Sequence, residues 1–424
     1  MKSRRPCVYL AVFLILALLG GVFMLFTSNP NLAYAESDKI AQAVDKEIVS
    51  ANTGFSLRIL KELQQEQKGK NIFISPLSIS LALAMAYNGA NATTKEAMAK
   101  TLGLEGMGDE KINSGFRDLV ESLKNADSSV TLSIGDSTWI RSSLVPQVNP
   151  GFTKVLESYF GSSVYSRNFD DPKTITEINS WVSSQTNGKI GKIIDQIDSE
   201  MVMFLINAIY FKGDWTKQFD VSKTKPGDFT TPSGNVVKTD MMQSEGNYSY
   251  YADDKVQVVR LPYGRDKIAM YVFLPREGVY LDQFLQGFDE NDLNSCLKKL
   301  SSSQLELQLP KLQLEYGKVD LKDALTKMGM RVAFDRNAAD FSGIANVRPE
   351  NLYIAFVDHK AVIDVNEKGS EAAAVTNVGI GVTSVPVQVP FIVDRPYLFV
   401  IRDDRSGSIL FMGKIIDPTQ RASP

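Results

Sequence analysis

Histidine is almost missing from this chain: its 424 residues contain one, His359. Ser-His-Asp and Cys-His hydrolases need a base, and that base is usually histidine. His359 lies in Phe356-Val357-Asp358-His359-Lys360-Ala361-Val362-Ile363, which reads as a buried strand, and no Gly-x-Ser-x-Gly elbow accompanies it. His, Cys and carboxylates do not cluster at metal-ligand spacing, so no metal site is expected. There is no Walker loop, and Gly379-Ile380-Gly381 is too short, and lacks the following helix, for a dinucleotide fingerprint. These absences argue against an enzyme, and no catalytic residue and no cofactor are expected. Cysteine is scarce too, with only Cys7 and Cys296. If the first segment is removed, no internal disulfide is possible, stability must come from packing, and Cys296 reads as a small buried hydrophobe. The net charge of −3 supplies no basic field for nucleic acid or an anionic membrane.

The first stretch stands apart. Lys2, Arg4 and Arg5 precede an uncharged apolar run over 8–26, and Ala33-Tyr34-Ala35 places small residues at signal-peptidase offsets. We read a signal peptide over 1–35, an exported chain, and an N-terminal extension over 36–50. The alternative is a retained anchor, because the apolar run is long enough to span a bilayer. Removing 1–35 takes away three basic residues and no acid, which moves the net charge to −6. The whole chain is 44% hydrophobic and 22% charged, as in a globular protein with a sizeable core.

Periodicity divides that remainder. Ile48, Ala51, Phe55, Ile59 and Leu63 recur at helical spacing over 36–66. Ser75-Pro76 is an N-cap with proline in the first turn, and the helix that follows to Tyr87 is apolar almost all round, so it should be buried. Another amphipathic helix is expected over 110–125, and helix returns over 320–328. Strands are expected over 130–140, 202–211, 256–261 and 268–274, and over 305–309, which alternates strictly. The last hundred residues read mostly as strand. With no repeat and no low-complexity linker, one interwoven α+β domain fits better than two units.

One segment has an unusual pattern. Ser370, Ala372, Ala374, Thr376, Val378, Ile380 and Val382 are uncharged and grow more apolar along the chain, whereas the alternate set carries Glu371, Asn377 and Thr383. This is the period of a strand with one face buried and one face wet. No proline interrupts 369–385, so every ladder donor is present. Three alanines and two glycines nonetheless make it a poor strand by propensity. Small residues suit a segment that stays exposed and later slips between existing strands. A flexible linker or an ordinary edge strand would also fit.

The chain resembles the serpins from about 51 to 418. The resemblance rests on Asn71-Ile72-Phe73-Ile74-Ser75-Pro76-Leu77-Ser78-Ile79, on Asn207-Ala208-Ile209-Tyr210-Phe211-Lys212-Gly213-Asp214-Trp215, and on Leu309-Pro310-Lys311. Met328-Gly329-Met330, Asp340-Phe341-Ser342-Gly343-Ile344 and His359-Lys360-Ala361 follow in order. Next come Val365-Asn366-Glu367-Lys368-Gly369-Ser370-Glu371-Ala372-Ala373-Ala374, Asp394-Arg395-Pro396-Tyr397 and Leu410-Phe411-Met412-Gly413-Lys414-Ile415. The resemblance implies a single α+β serpin domain over 51–424, with mixed sheets, surrounding helices and an exposed reactive-centre loop at about 367–393. It implies an inhibitor of serine proteases that traps the attacking enzyme as a covalent acyl complex by inserting the cut loop into the central sheet. About 14 inserted residues at 3.3 Å each would carry the protease roughly 46 Å.

By the same resemblance Glu367, Gly369, Ser370, Glu371, Ala372, Ala373 and Ala374 form the loop hinge. Ser75, Ser78, Asn207 and His359 form a structural polar cluster that lets the sheet open, and Trp215 marks where the loop first enters. Loop spacing places the reactive bond at Thr383-Ser384, with Val382-Thr383 and Val385-Pro386 as alternatives. A small residue beside Val382 suits elastase-like or subtilisin-like proteases, and the lack of Lys and Arg over 369–391 speaks against trypsin-like ones. A monomer is expected. Heparin activation is not, because Lys111, Arg117 and Lys124 are scattered among acids. The competing reading is a non-inhibitory serpin acting as carrier, chaperone or storage protein, against which the small hinge residues argue.

Overall fold

The structure, a computed structural model, describes residues 38–124, 126–347, 351–370 and 388–423. The expected signal peptide and most of the expected loop lie outside them. Among the described residues no helix is long and apolar enough to cross a membrane.

Helices α1 (Lys46–Glu66), α2 (Pro76–Tyr87), α3 (Ala92–Leu102), α4 (Asp109–Lys124), α5 (Pro150–Phe160) and α6 (Pro172–Gln185) occupy the first half with few strands between them. The helix expected over 36–66 is broken at 44–45, where Asp45 caps α1 by accepting from the Glu47 amide at 2.8 Å. Residues 46–50, part of the expected extension, are the first turn of α1, and Ile48 is fully buried. In α2 the Ser75 side chain accepts from the Ser78 amide with Pro76 in the first turn, and all but one of the helix residues are buried, as its apolar circumference requires.

The strands, in chain order, are β1 (Ile72–Ile74), β2 (Val130–Arg141), β3 (Ser163–Arg167), β4 (Met203–Asp214), β5 (Lys225–Thr230), β6 (Val236–Ala252), β7 (Val256–Tyr263) and β8 (Ile268–Pro275). Then come β9 (Ser301–Pro310), β10 (Leu312–Asp320), β11 (Asp358–Val365), β12 (Gly369–Ser370), β13 (Val389–Ile392), β14 (Tyr397–Asp403), β15 (Ile409–Ile415) and β16 (Ala422–Ser423). They form two sheets. A nine-stranded sheet runs β1-β15-β14-β8-β7-β6-β9-β13, with β5 beside β6, and a seven-stranded sheet runs β16-β10-β11-β12-β4-β2-β3. The helix expected over 320–328 is only Lys322–Leu325 before the backbone widens into a π-turn, with Gly329 at φ 116°.

Both β8 and β15 are buried at every position, which explains the unbroken apolar run of β8 and the nearly apolar run of β15, where Lys414 is the one charged residue. The two sheets meet where Phe211 of β4 packs 4.9 Å from Tyr263 of β7 and 6.1 Å from Phe411 of β15. On the opposite face of the seven-stranded sheet, Ile178 and Val182 of α6 are buried with Trp139, Phe204 and Ala208 of β2 and β4. Each such large apolar side chain contributes about 1.5–3 kcal/mol by leaving water.

Candidate functional site: the mouth of the seven-stranded sheet

After β11 the chain reverses. Residues 366–369 close a tight turn in which the Asn366 amide donates to the Gly369 carbonyl at 2.9 Å and the Gly369 amide donates to the Asn366 carbonyl at 3.2 Å. Gly369–Ser370 then runs antiparallel to β11, with Ser370 opposite Val365, and antiparallel to β4, with Ser370 opposite Gly213. Glycine is required at 369: its φ is 155°, and a Cβ there would collide with the Gly213 carbonyl oxygen and sit 2.6 Å from the Asp214 Cα. Among the described residues β12 alone joins β4 to β11, and no ladder joins those two strands directly.

Ser370, expected from alternation to face inward, is 2% exposed, and its hydroxyl lies 2.9 Å from the Tyr263 hydroxyl of the other sheet. Trp215 caps the mouth. Its ring stacks on Tyr263 at 4.4 Å, its indole N–H donates to the Asn366 carbonyl at 2.9 Å, and its amide donates to the Lys368 carbonyl at 2.7 Å. Glu367 is held from three sides: the Phe219 amide donates to its carbonyl at 2.8 Å, the Thr224 hydroxyl donates to its carboxylate at 2.9 Å, and the Lys311 ammonium lies 3.1 Å away. Burial disfavours the charged carboxylate, but the Glu367 amide itself, Thr224 and Lys311 outweigh burial and hold it below the usual carboxylate range.

The expected polar cluster is only partly assembled. The Ser75 amide donates to His359 Nε2 at 3.1 Å, the Ser75 hydroxyl donates to the Leu410 carbonyl at 2.8 Å, and the Ser78 amide donates to Ser75 Oγ at 3.3 Å. Accepting at Nε2 requires neutral imidazole there, and burial pushes the His359 pKa down to about 4. Asn207 does not join this group: its amide donates to Asp136 of β2 at 2.9 Å. Asp136 is the site residue that sequence reasoning missed, and its signal was a carboxylate in the middle of a strand whose one other charge is the terminal Arg141. Cys296 is buried, and burial first, with Asp253 and Asp292 nearby, raises its thiol to about 11. Thr383, Ser384 and Glu371 to Ala374 lie outside the described residues.

The serpin family profile, described as serine protease inhibitor, matches residues 50–418. The chain belongs to the serpin family. It is 34% identical to an uncharacterized serpin-like protein of Thermococcus kodakarensis over 404 residues, covering 92% of each chain. It is 32% identical to the corticosteroid-binding globulin of Pongo abelii, over 94% of this chain and 96% of that one. Among solved structures it is similar to the thermophilic serpin tengpin in the native state, with a TM-score of 0.80, 30% identity, and coverage of 88% of this chain and 95% of that one. Serpins as a family act on proteases as inhibitors rather than as catalysts, and this family also includes carriers.

Proposed function

We propose that this serpin inhibits a serine protease by suicide-substrate trapping. The observation that carries the reading is the seat of Ser370. The loop leaves β11 as a hairpin and its first residues already pair with both β11 and β4. Continuing the same direction, with the alternation over 370–382, would lay the remaining residues between those two strands, each adding ladder hydrogen bonds of about 0.5–1.5 kcal/mol. Val378, Ile380 and Val382 would each add about 1.5–3 kcal/mol of burial. An uncut loop is tethered at both ends, and cutting Thr383-Ser384 would release it to insert with the acylated protease attached.

The target class is elastase-like or subtilisin-like, from the small residue beside Val382 and the lack of basic residues over 369–391. The protein acts as a monomer and is exported, on the strength of the segment over 1–35. Heparin has no part in this reading: Lys111 is paired with Glu47 at 2.7 Å and Arg117 with Asp118 at 2.8 Å.

Incubation of the mature protein with pancreatic elastase and with subtilisin, followed by a denaturing gel, tests the reading. A band at the summed mass that survives denaturation is the expected result. Cleavage at the loop with no such band would favour a non-inhibitory role, the carrier reading that the 32% identity to corticosteroid-binding globulin keeps in view.

A further inference from the structure

Asp136 and Asn207 stand directly opposite each other in the antiparallel ladder of β2 and β4. The neighbouring Gly135 lies against Gln185 at the end of α6, so Asp136 points to the opposite, core-facing side of the sheet. Both side chains meet there, and one bond is plain: Asn207 Nδ2 donates to Asp136 Oδ1 at 2.9 Å. The other half of the amide is unsatisfied. Asn207 Oδ1 is buried without a hydrogen-bond partner among the described residues. A buried acceptor without a donor is unfavourable, and an ionised carboxylate on the neighbouring strand, which only accepts, offers none. A protonated carboxyl removes the conflict, since its O–H supplies the donor that Asn207 Oδ1 lacks.

We propose that Asp136 and Asn207 form a proton-dependent clamp across β2 and β4, in which the protonated carboxyl donates to Asn207 Oδ1 while accepting from Asn207 Nδ2, and that ionisation opens the pair and loosens β4. Because β4 is one wall of the mouth that receives Gly369–Ser370, the clamp sets how firmly that wall is held. Charge balance agrees with the geometry. Burial drives the Asp136 carboxyl up to about 7, against the opposing pulls of the Asn207 amide and of Lys124 at the end of α4. Other titratable groups on this sheet include His359 and Asp358 of β11, Tyr210 of β4 and Tyr316 of β10, and the shift of His359 comes from burial alone.

The sign follows from the direction of the shift. A carboxyl whose folded pKa is raised contributes stability that is complete below the ordinary carboxylate range and is lost as pH rises through the folded value. His359 runs the opposite way over part of the same range, so the clamp is read as a difference between two proteins that both keep His359.

Asp136→Asn preserves shape and replaces the O–H donor with an N–H donor, so the paired amides close two bonds at every pH. The melting temperature of the variant minus that of the wild type should grow by several degrees between about pH 4.5 and about pH 7.5 and then level off. At about pH 8 the amides of β4 should exchange several-fold faster in the wild type than in the variant. A pH-independent difference in melting temperature, or equal exchange in β4, would overturn the clamp. Should the variant fail to fold, infrared spectra of the wild type decide. A protonated-carboxyl band that disappears as pH rises through neutrality supports the proposal, and its absence at mildly acid pH refutes it. All three readouts use uncut protein without any protease, so their failure is distinct from failure of the inhibitory reading.

Discussion

The hydroxyls of Ser370 and Tyr263 lie 2.9 Å apart inside the molecule, one on the first residues of the loop and the other at the end of β7 in the second sheet. Gly369–Ser370 is therefore anchored to both sheets, through its pairing with β11 and β4 and through Tyr263.

Ser370→Arg places a cation in this pocket. An unpaired buried charge costs several kcal/mol, so Gly369–Ser370 should be expelled and later insertion slowed. Chemistry at the distant reactive bond is untouched, and the protease completes deacylation before it is carried away. The variant should yield cleaved protein instead of complex on a denaturing gel. Because Ser370 is already seated in the uncut protein, the melting temperature of the uncut variant should fall as well. Glu371→Arg, on the alternate face, should retain most inhibition, and equal inhibition by both variants would show that alternation does not govern insertion.

His359 makes acid a specific threat to the sheet. Its pKa is lowered by burial to about 4, so the folded state binds fewer protons than the unfolded state between that value and the ordinary histidine range. Stability from this group is whole above about pH 6.5 and declines as pH falls toward 4. His359→Gln, which keeps an acceptor for the Ser75 amide, should flatten this acid limb of a melting-temperature profile. A parallel acid limb in the variant would assign the loss to other groups.

Much of this arrangement is legible in the sequence. Ser75-Pro76 marks the start of α2 because capping is local, and the run over 268–274 marks a strand because burial on both faces leaves no charged residue in it. The inward face of Ser370 follows from a period of two. What escapes is set by partners far along the chain. The run ending at Phe211 continues as strand to Asp214 because Gly213 and Asp214 pair with Ser370 and Gly369, more than a hundred and fifty residues later. Resemblance groups Asn207 with His359, but its actual partner is chosen by the β2–β4 register, which puts Asp136 opposite it. The strands β3 and β5 and the helices α3 and α6 go unread because much of each element is exposed, and β10 and α5 go unread although Leu312, Leu314 and Tyr316 alternate and Phe152, Leu156 and Phe160 recur at helical spacing.

If the proposed reactive bond is right, Thr383→Arg should direct inhibition toward trypsin-like proteases, because the residue before the cut fills the specificity pocket. Mass spectrometry of the loop fragments after trypsin treatment locates the bond. Cleavage directly after the introduced arginine, with a covalent band, is expected. A cut that remains after Val382 or Val385 would place the reactive bond elsewhere.

The central claim is that cutting the loop completes a strand that Gly369–Ser370 has begun. Comparing the melting temperature of the intact protein with that of protein nicked within 380–385 measures this directly. About a dozen new ladder bonds at about 0.5–1.5 kcal/mol each, with the burial of Val378, Ile380 and Val382, must exceed the ordering of the released segment for insertion to occur. The account predicts a large rise in melting temperature on nicking, and an equal or lower value in the nicked protein would contradict it.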